Sequence, residues 1–237
     1  MIAFLTSSPC LESGALNPAN GLVEELRAAL PNPCAGLFAC SSPDDPAATD
    51  RFAAAMRESF EAAGFRFSRW DILDHRTQDA AAGLIRGAEL VVLAGGHVPT
   101  QNRFFAEIGL RALLEGYPGA ILGISAGSMN SAERVYAHPE LPGEAVDPAY
   151  RRFLPGLGLT EVMLLPHVQS WRYDSLDGLR LIEDIAVPDS VGRCFYAVPD
   201  GSWLYLREGR QELRGEAWRI ADGRMEQVCR EGESLIL

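Results

Sequence analysis

The chain of 237 residues is 47% hydrophobic and 22% charged, long and apolar enough to bury a full core without disulfide or metal staples. Its formal net charge of -11, from 32 acidic against 21 basic residues, disfavours nucleic acid and anionic membrane surfaces as partners. No run approaches the roughly eighteen apolar residues of a membrane span, and the opening Met1-Ile2-Ala3-Phe4-Leu5 lacks a basic leader, so a cytoplasmic protein is expected.

Taken in chain order, short apolar runs alternate with longer amphipathic ones. Ile2 to Leu5 reads as a buried strand, and Asn20 to Leu30 as a helix with Leu22, Val23, Leu26 and Leu30 on one face. Gly36 to Ala39 is a second strand; Thr49 to Ala63 is a helix with Phe52, Met56 and Phe60 in register and Gly64 as its stop. Strand Leu90 to Ala94, helix Gln101 to Glu115, strand Ala120 to Ile124 and helix Ser128 to Val135 continue the rhythm. Alternation of this kind predicts an α/β fold in one domain spanning 1–237: an open, mostly parallel sheet, flavodoxin-like, with helices on both faces and ligands beyond the carboxyl ends of the strands. Past Val187 the texture changes to Phe195 to Val198, Ser202 to Leu206 and Ala217 to Ile220, punctuated by Asp200-Gly201, Glu208-Gly209 and Asp222-Gly223. Those dipeptides are hairpin signals, so antiparallel strands are expected at the C-terminal edge.

The cysteines Cys10, Cys34, Cys40, Cys194 and Cys229 are odd in number and include no Cys-x-x-Cys pair, which predicts reduced thiols and neither a disulfide framework nor a zinc site. Gly123-Ile124-Ser125-Ala126-Gly127 matches Gly-x-Ser-x-Gly between an apolar strand and a helix-compatible run. A serine nucleophile on such a turn needs small neighbours, because the backbone is strained and substrate must approach closely; the following helix start offers N–H groups to an oxyanion. The competing role for Ser125 is a plain helix cap.

Four features in this order resemble the peptidase E (aspartyl dipeptidase) and cyanophycinase family of serine peptidases, whose fold is similar to class I glutamine amidotransferases. They are Ala94-Gly95-Gly96 after a buried strand, the elbow around Ser125, Leu164-Leu165-Pro166-His167-Val168, and Val198-Pro199-Asp200-Gly201-Ser202-Trp203. The resemblance implies a dipeptidase with Ser125 as nucleophile and His167 as base; its place after the apolar run Val162 to Leu165 sets His167 at a strand end. It places the third member in the loop about fifteen residues past the serine, where direct counting gives Glu140 and anchoring on Val146-Asp147-Pro148 gives Glu144, with Asp147 a further alternative. It also implies an oxyanion hole from the N–H groups of Gly96 and Ala126, with Gly95 leaving room for the substrate carbonyl. His97 is a candidate pocket residue, and Arg172 is the candidate cation for a substrate carboxylate. The expectation is hydrolysis of a dipeptide or short peptide through an acyl-enzyme by a monomer or homodimer, with no metal or organic cofactor. Alternatives are a non-peptide amidase or esterase on the same scaffold, or a catalytically idle ligand-binding relative.

Overall fold

A computed structural model describes all 237 residues. Strand β1 (Ile2–Thr6) is central, and β2 (Cys34–Ala39), β3 (Phe67–Leu73), β4 (Leu90–Leu93) and β5 (Ala120–Ile124) lie parallel to it in the order β1-β5-β4-β2-β3. The core strands Phe4, Leu37, Val91 and Leu122 are fully or almost fully buried, as continuous apolar runs covered on both faces must be. Strand β3 escapes the sequence reading because its residues are polar and largely accessible, as at Ser68 and Arg69; it is the sheet edge. Helix α1 (Leu22–Ala29) and helix α2 (Pro46–Ala62) fall where expected. Asp45 caps α2 by accepting the Ala48 N–H at 2.9 Å, and Pro46 fits its first turn.

Three expectations need correction. After α3 (Ala81–Gly87), the predicted helix Gln101 to Glu115 is two helices, α4 (Val98–Glu107) and α5 (Leu110–Leu113), broken where Gly109 takes φ 64. The run Ser128 to Val135 is not one helix: α6 (Ala126–Asn130) stops after five residues, and β6 (Arg134–Tyr136) pairs with β7 (Phe153–Pro155). Last, the C-terminal strands do not all close one edge. β8 (Met163–Leu165) pairs parallel with β11 (Cys194–Ala197), which with β14 (Ala217–Ala221) and β15 (Arg224–Cys229) makes a second, four-stranded sheet; β9 (Ser175–Leu176) and β10 (Leu179–Arg180) form a small ribbon. Only β12 (Trp203–Arg207), β13 (Arg210–Arg214) and β16 (Ser234–Ile236) extend the main sheet, antiparallel beside β1, to eight strands.

Two of the hairpin signals act as such: Glu208 and Gly209 (φ 52 and 79) join β12 to β13, and Asp222 and Gly223 (φ 47 and 77) join β14 to β15. Asp200-Gly201 instead turns the chain from the second sheet into the first, with the Ser202 N–H donating to the Pro199 carbonyl at 3.1 Å. That crossing brings the ends of β1, β5, β8 and β11 together. No helix is long and apolar enough to cross a membrane.

Candidate active site

Ser125 sits between β5 and α6 at φ 47, ψ −110, a region that costs a non-glycine residue about 1–3 kcal/mol and persists only where its surroundings enforce it. Here they do. The Ser125 N–H donates to the Thr6 and Ser7 carbonyls at 3.0 and 3.1 Å, Ser128 Oγ donates to the Thr6 carbonyl at 2.7 Å, and Thr6 Oγ1 donates to the Gly123 carbonyl at 2.8 Å. A Cβ at Gly127 would collide with the Leu93 carbonyl, and one at Gly123 would lie 2.8 Å from Ser128 Oγ. The small residues around the serine are therefore demanded by β4 and β1 crowding the turn.

The glycine loop after β4 reaches the serine: a Cβ at Gly95 would be 3.4 Å from Ser125 Cβ. Gly96 takes φ 152, and any side chain there would strike Ser41, whose Oγ donates to the Gly95 carbonyl at 2.6 Å. The N–H groups of Gly95, Gly96 and Ala126 donate to no acceptor within the protein. Unpaired N–H groups beside a serine turn suit an oxyanion.

His167 follows β8 in the left-handed region, φ 59, held there by its own N–H donating to Ser7 Oγ at 2.8 Å. Its Nδ1 donates to Asp200 Oδ1 at 2.7 Å, and Ser7 Oγ donates to the same oxygen at 2.7 Å. Because a carboxylate only accepts, Nδ1 carries the proton in either charge state of the ring, and in the neutral imidazole the lone pair lies on Nε2. Burial by itself would raise the Asp200 carboxyl, but hydrogen bonds from His167 and Ser7 and the charge of His167 outweigh it and hold the group below its ordinary value. Asp200 is thus the carboxylate on His167.

None of the three acids proposed from the loop takes that place. Glu140 lines the pocket with Ser125 and His167, but its carboxylate bonds to neither ring nitrogen. Glu144 Oε1 accepts from His97 Nε2 at 2.8 Å, while its Oε2 accepts the Glu140 and Leu141 N–H groups at 2.9 Å each. Asp147 accepts the Ala149 N–H at 2.8 Å in a local turn. The loop does not supply the acid on His167: Glu144 is taken up by His97 and the loop's own N–H groups, Asp147 by a local turn, and Glu140 faces the pocket without a partner. Asp200 carried a signal, lying in a run singled out for the resemblance, yet Asp-Gly there reads as a hairpin. Ser7 carried none, being a small polar residue at the end of an apolar strand.

His97 is a fastener rather than a pocket wall: Nδ1 pairs with Thr100 Oγ1 at 2.8 Å, and Nε2 ties the glycine loop to Glu144. Arg172 points away, its guanidinium stacked 5.5 Å from the Tyr173 ring and 5.0 Å from Trp218. The cavity over Ser125 measures about 370 Å³, with Met129, Leu165 and Trp171 among its apolar walls. A larger open groove of about 1020 Å³, beside α4 and α5, contains neither Ser125 nor His167. His138, buried in the wall against Trp171, is pushed down to about 4 by burial, so it is neutral at pH 7. Burial pushes the Cys34 and Cys40 thiols up to about 12, and all five cysteines are free. No group of three His, Cys, Asp or Glu side chains converges as a metal site would need.

No protein-family model and no curated protein matches the sequence. Solved structures do match the fold. A peptidase from an acI-B1 Actinobacterium is 16% identical with a TM-score of 0.66, covering 100% of this chain and 96% of its own. A protein from Listeria monocytogenes EGD-e that carries the name peptidase E is 13% identical with a TM-score of 0.61, covering 96% of this chain and 98% of its own. The chain therefore has the peptidase E type of fold, mixed α/β about a mostly parallel central sheet, along essentially its whole length.

Proposed function

We propose that the protein is a serine peptidase that hydrolyses the amide bond of a dipeptide or short peptide through Ser125, His167 and Asp200. The observation that carries this reading is the hydrogen bond from His167 Nδ1 to Asp200, which leaves Nε2 basic in the same pocket as a serine held in strain. In the forward step Ser125 Oγ attacks the substrate carbonyl and gives its proton to His167 Nε2. The new oxyanion takes hydrogen bonds from the N–H groups of Gly96 and Ala126. His167 then protonates the departing amine, and water, deprotonated by the same nitrogen, hydrolyses the ester on Ser125. Asp200 keeps the imidazole in the productive tautomer and stabilises imidazolium, while Ser7 fixes both partners.

The test is turnover of Asp-Leu, Glu-Leu, Ala-Leu and β-linked Asp-Arg by wild type and Ser125→Ala, with fluorophosphonate labelling in parallel. Cleavage and labelling that both vanish in Ser125→Ala are expected. A wild-type protein that labels no faster than background overturns the reading.

A further inference from the structure

Two carboxylates, Glu140 and Asp174, line the cavity that holds Ser125 and His167, and neither is engaged in a hydrogen bond or ion pair within the protein. No basic residue other than the histidines lines it. His138 is neutral there, and His167 must be neutral to act as a base. The neighbouring arginines are committed elsewhere. Arg172 stacks on Trp218, Arg180 grips Asp184 through Nε and Nη2 at 2.9 and 2.8 Å, and Arg152 pairs with Asp189 at 2.8 Å. A substrate carboxylate entering this cavity meets no arginine or lysine; a cation meets two unpartnered acceptors.

We propose that the pocket selects substrates carrying a cation on the acyl side of the scissile bond, seated on Glu140 with Asp174 adding to the field. This rests on Ser125 being the nucleophile. Glu140 is built for the task because its loop is pinned at both ends. Glu144 accepts the Glu140 and Leu141 N–H groups and is itself held by His97, and Asp177 accepts the Gly143 N–H at 2.8 Å and the Ala145 N–H at 3.1 Å. The backbone that carries Glu140 is thereby fixed before substrate arrives, which cuts part of the ordering cost of binding. The surrounding pocket walls and the neighbouring Glu144 push the Glu140 carboxyl up to about 7, against a smaller opposing effect of His167, while the residue as a whole stays exposed and open to an entering cation.

An amino-terminal ammonium and a basic side chain supply the same chemistry, and 4-nitroanilides separate them. Alanine nitroanilide carries the first, N-acetylarginine nitroanilide the second, N-acetylalanine nitroanilide neither, and aspartate nitroanilide adds a carboxylate to the first. Wild type should favour one or both cationic substrates over N-acetylalanine nitroanilide by about ten- to a hundredfold in kcat/KM, the range for a hydrogen bond to a charged group. It should also turn over aspartate nitroanilide more slowly than alanine nitroanilide. The preference should lie in KM, shrink to within about threefold in Glu140→Gln, and reverse towards the aspartate substrate in Glu140→Arg. Protection of Ser125 from fluorophosphonate gives a second readout that needs no turnover: alaninamide or N-acetylargininamide should slow labelling, and N-acetylalaninamide should not. A labelled, Ser125-dependent protein that ignores charge in both assays, or that keeps its preference in Glu140→Gln, overturns the charge assignment and leaves the nucleophile standing. Failure to label at all overturns both.

Discussion

Replacing Asp200 by asparagine removes one charge beside His167 while keeping the oxygen that Ser7 and Nδ1 address. With 2.7 Å between Nδ1 and Oδ1, Coulomb attraction of the imidazolium formed during attack is about 1.5 kcal/mol at the dielectric of water and about 6 kcal/mol at an effective value near 20. Both side chains keep more than a third of their surface accessible, 37% and 40%, which places the pair towards the watery end. A loss of about 2–3 kcal/mol follows, or roughly a 30- to 150-fold fall in kcat with KM little changed. If asparagine turns its amide towards Nδ1, the ring is forced into the wrong tautomer and the loss grows beyond that range. Steady-state kinetics on the peptide panel, run beside Glu140→Gln, reads the outcome. The assignment is refuted if Asp200→Asn stays within about threefold of wild type while Glu140→Gln loses kcat by orders of magnitude, because Glu140 would then be the acid that serves His167.

Ser7→Ala should lower kcat about tenfold and destabilise the fold by about 1–3 kcal/mol in urea melts, since Ser7 is fully buried and both the His167 N–H and Asp200 lose its hydroxyl; an unchanged kcat would mean that Ser7 positions nothing. Gly127→Ala drives a methyl group into the Leu93 carbonyl and should cost about 1–3 kcal/mol, read as a lower midpoint at constant slope; a midpoint equal to wild type would contradict the close approach of β4 to the elbow. Glu140 supplies a pH signature. Its carboxyl is raised to about 7 in the fold, so the folded state holds a proton that the unfolded chain releases near the ordinary glutamate value, and stability falls as pH rises across that window. Glu140→Gln should accordingly raise Tm at pH 8 by more than it does at pH 4. In wild type, KM for a cationic substrate should fall as pH climbs through about 7, and a flat KM profile would remove Glu140 from recognition.

Much of the fold and half of the candidate site were legible in the residues themselves. Buried parallel strands must be continuous apolar runs, so Ile2 to Leu5, Leu90 to Ala94 and Ala120 to Ile124 announced the sheet, and the glycines crowding Ser125 announced a turn that tolerates no bulk. The place of His167 was readable because a titratable residue one proline past a buried strand lies on the rim where ligands bind, and the resemblance supplied its role as base. The polar edge strand Phe67–Leu73 and the break at Gly109 were not, since one lacks apolar periodicity and the other is a backbone conformation inside an amphipathic run.

What the tertiary structure alone decided is which acid meets which base. The loop acids Glu140, Glu144 and Asp147 follow the elbow closely in sequence, yet two of them bond within their neighbourhood and the third turns to the pocket. Asp200 lies 33 residues from His167 and Ser7 lies 160 residues from it, and they meet only because β8 and β11 pair in parallel and the Pro199–Ser202 turn carries the chain from that small sheet back beside β1. Local sequence determines strand, turn and residue chemistry through burial and backbone strain. A hydrogen bond between residues distant in the chain depends on how two sheets are joined, and no periodicity records that.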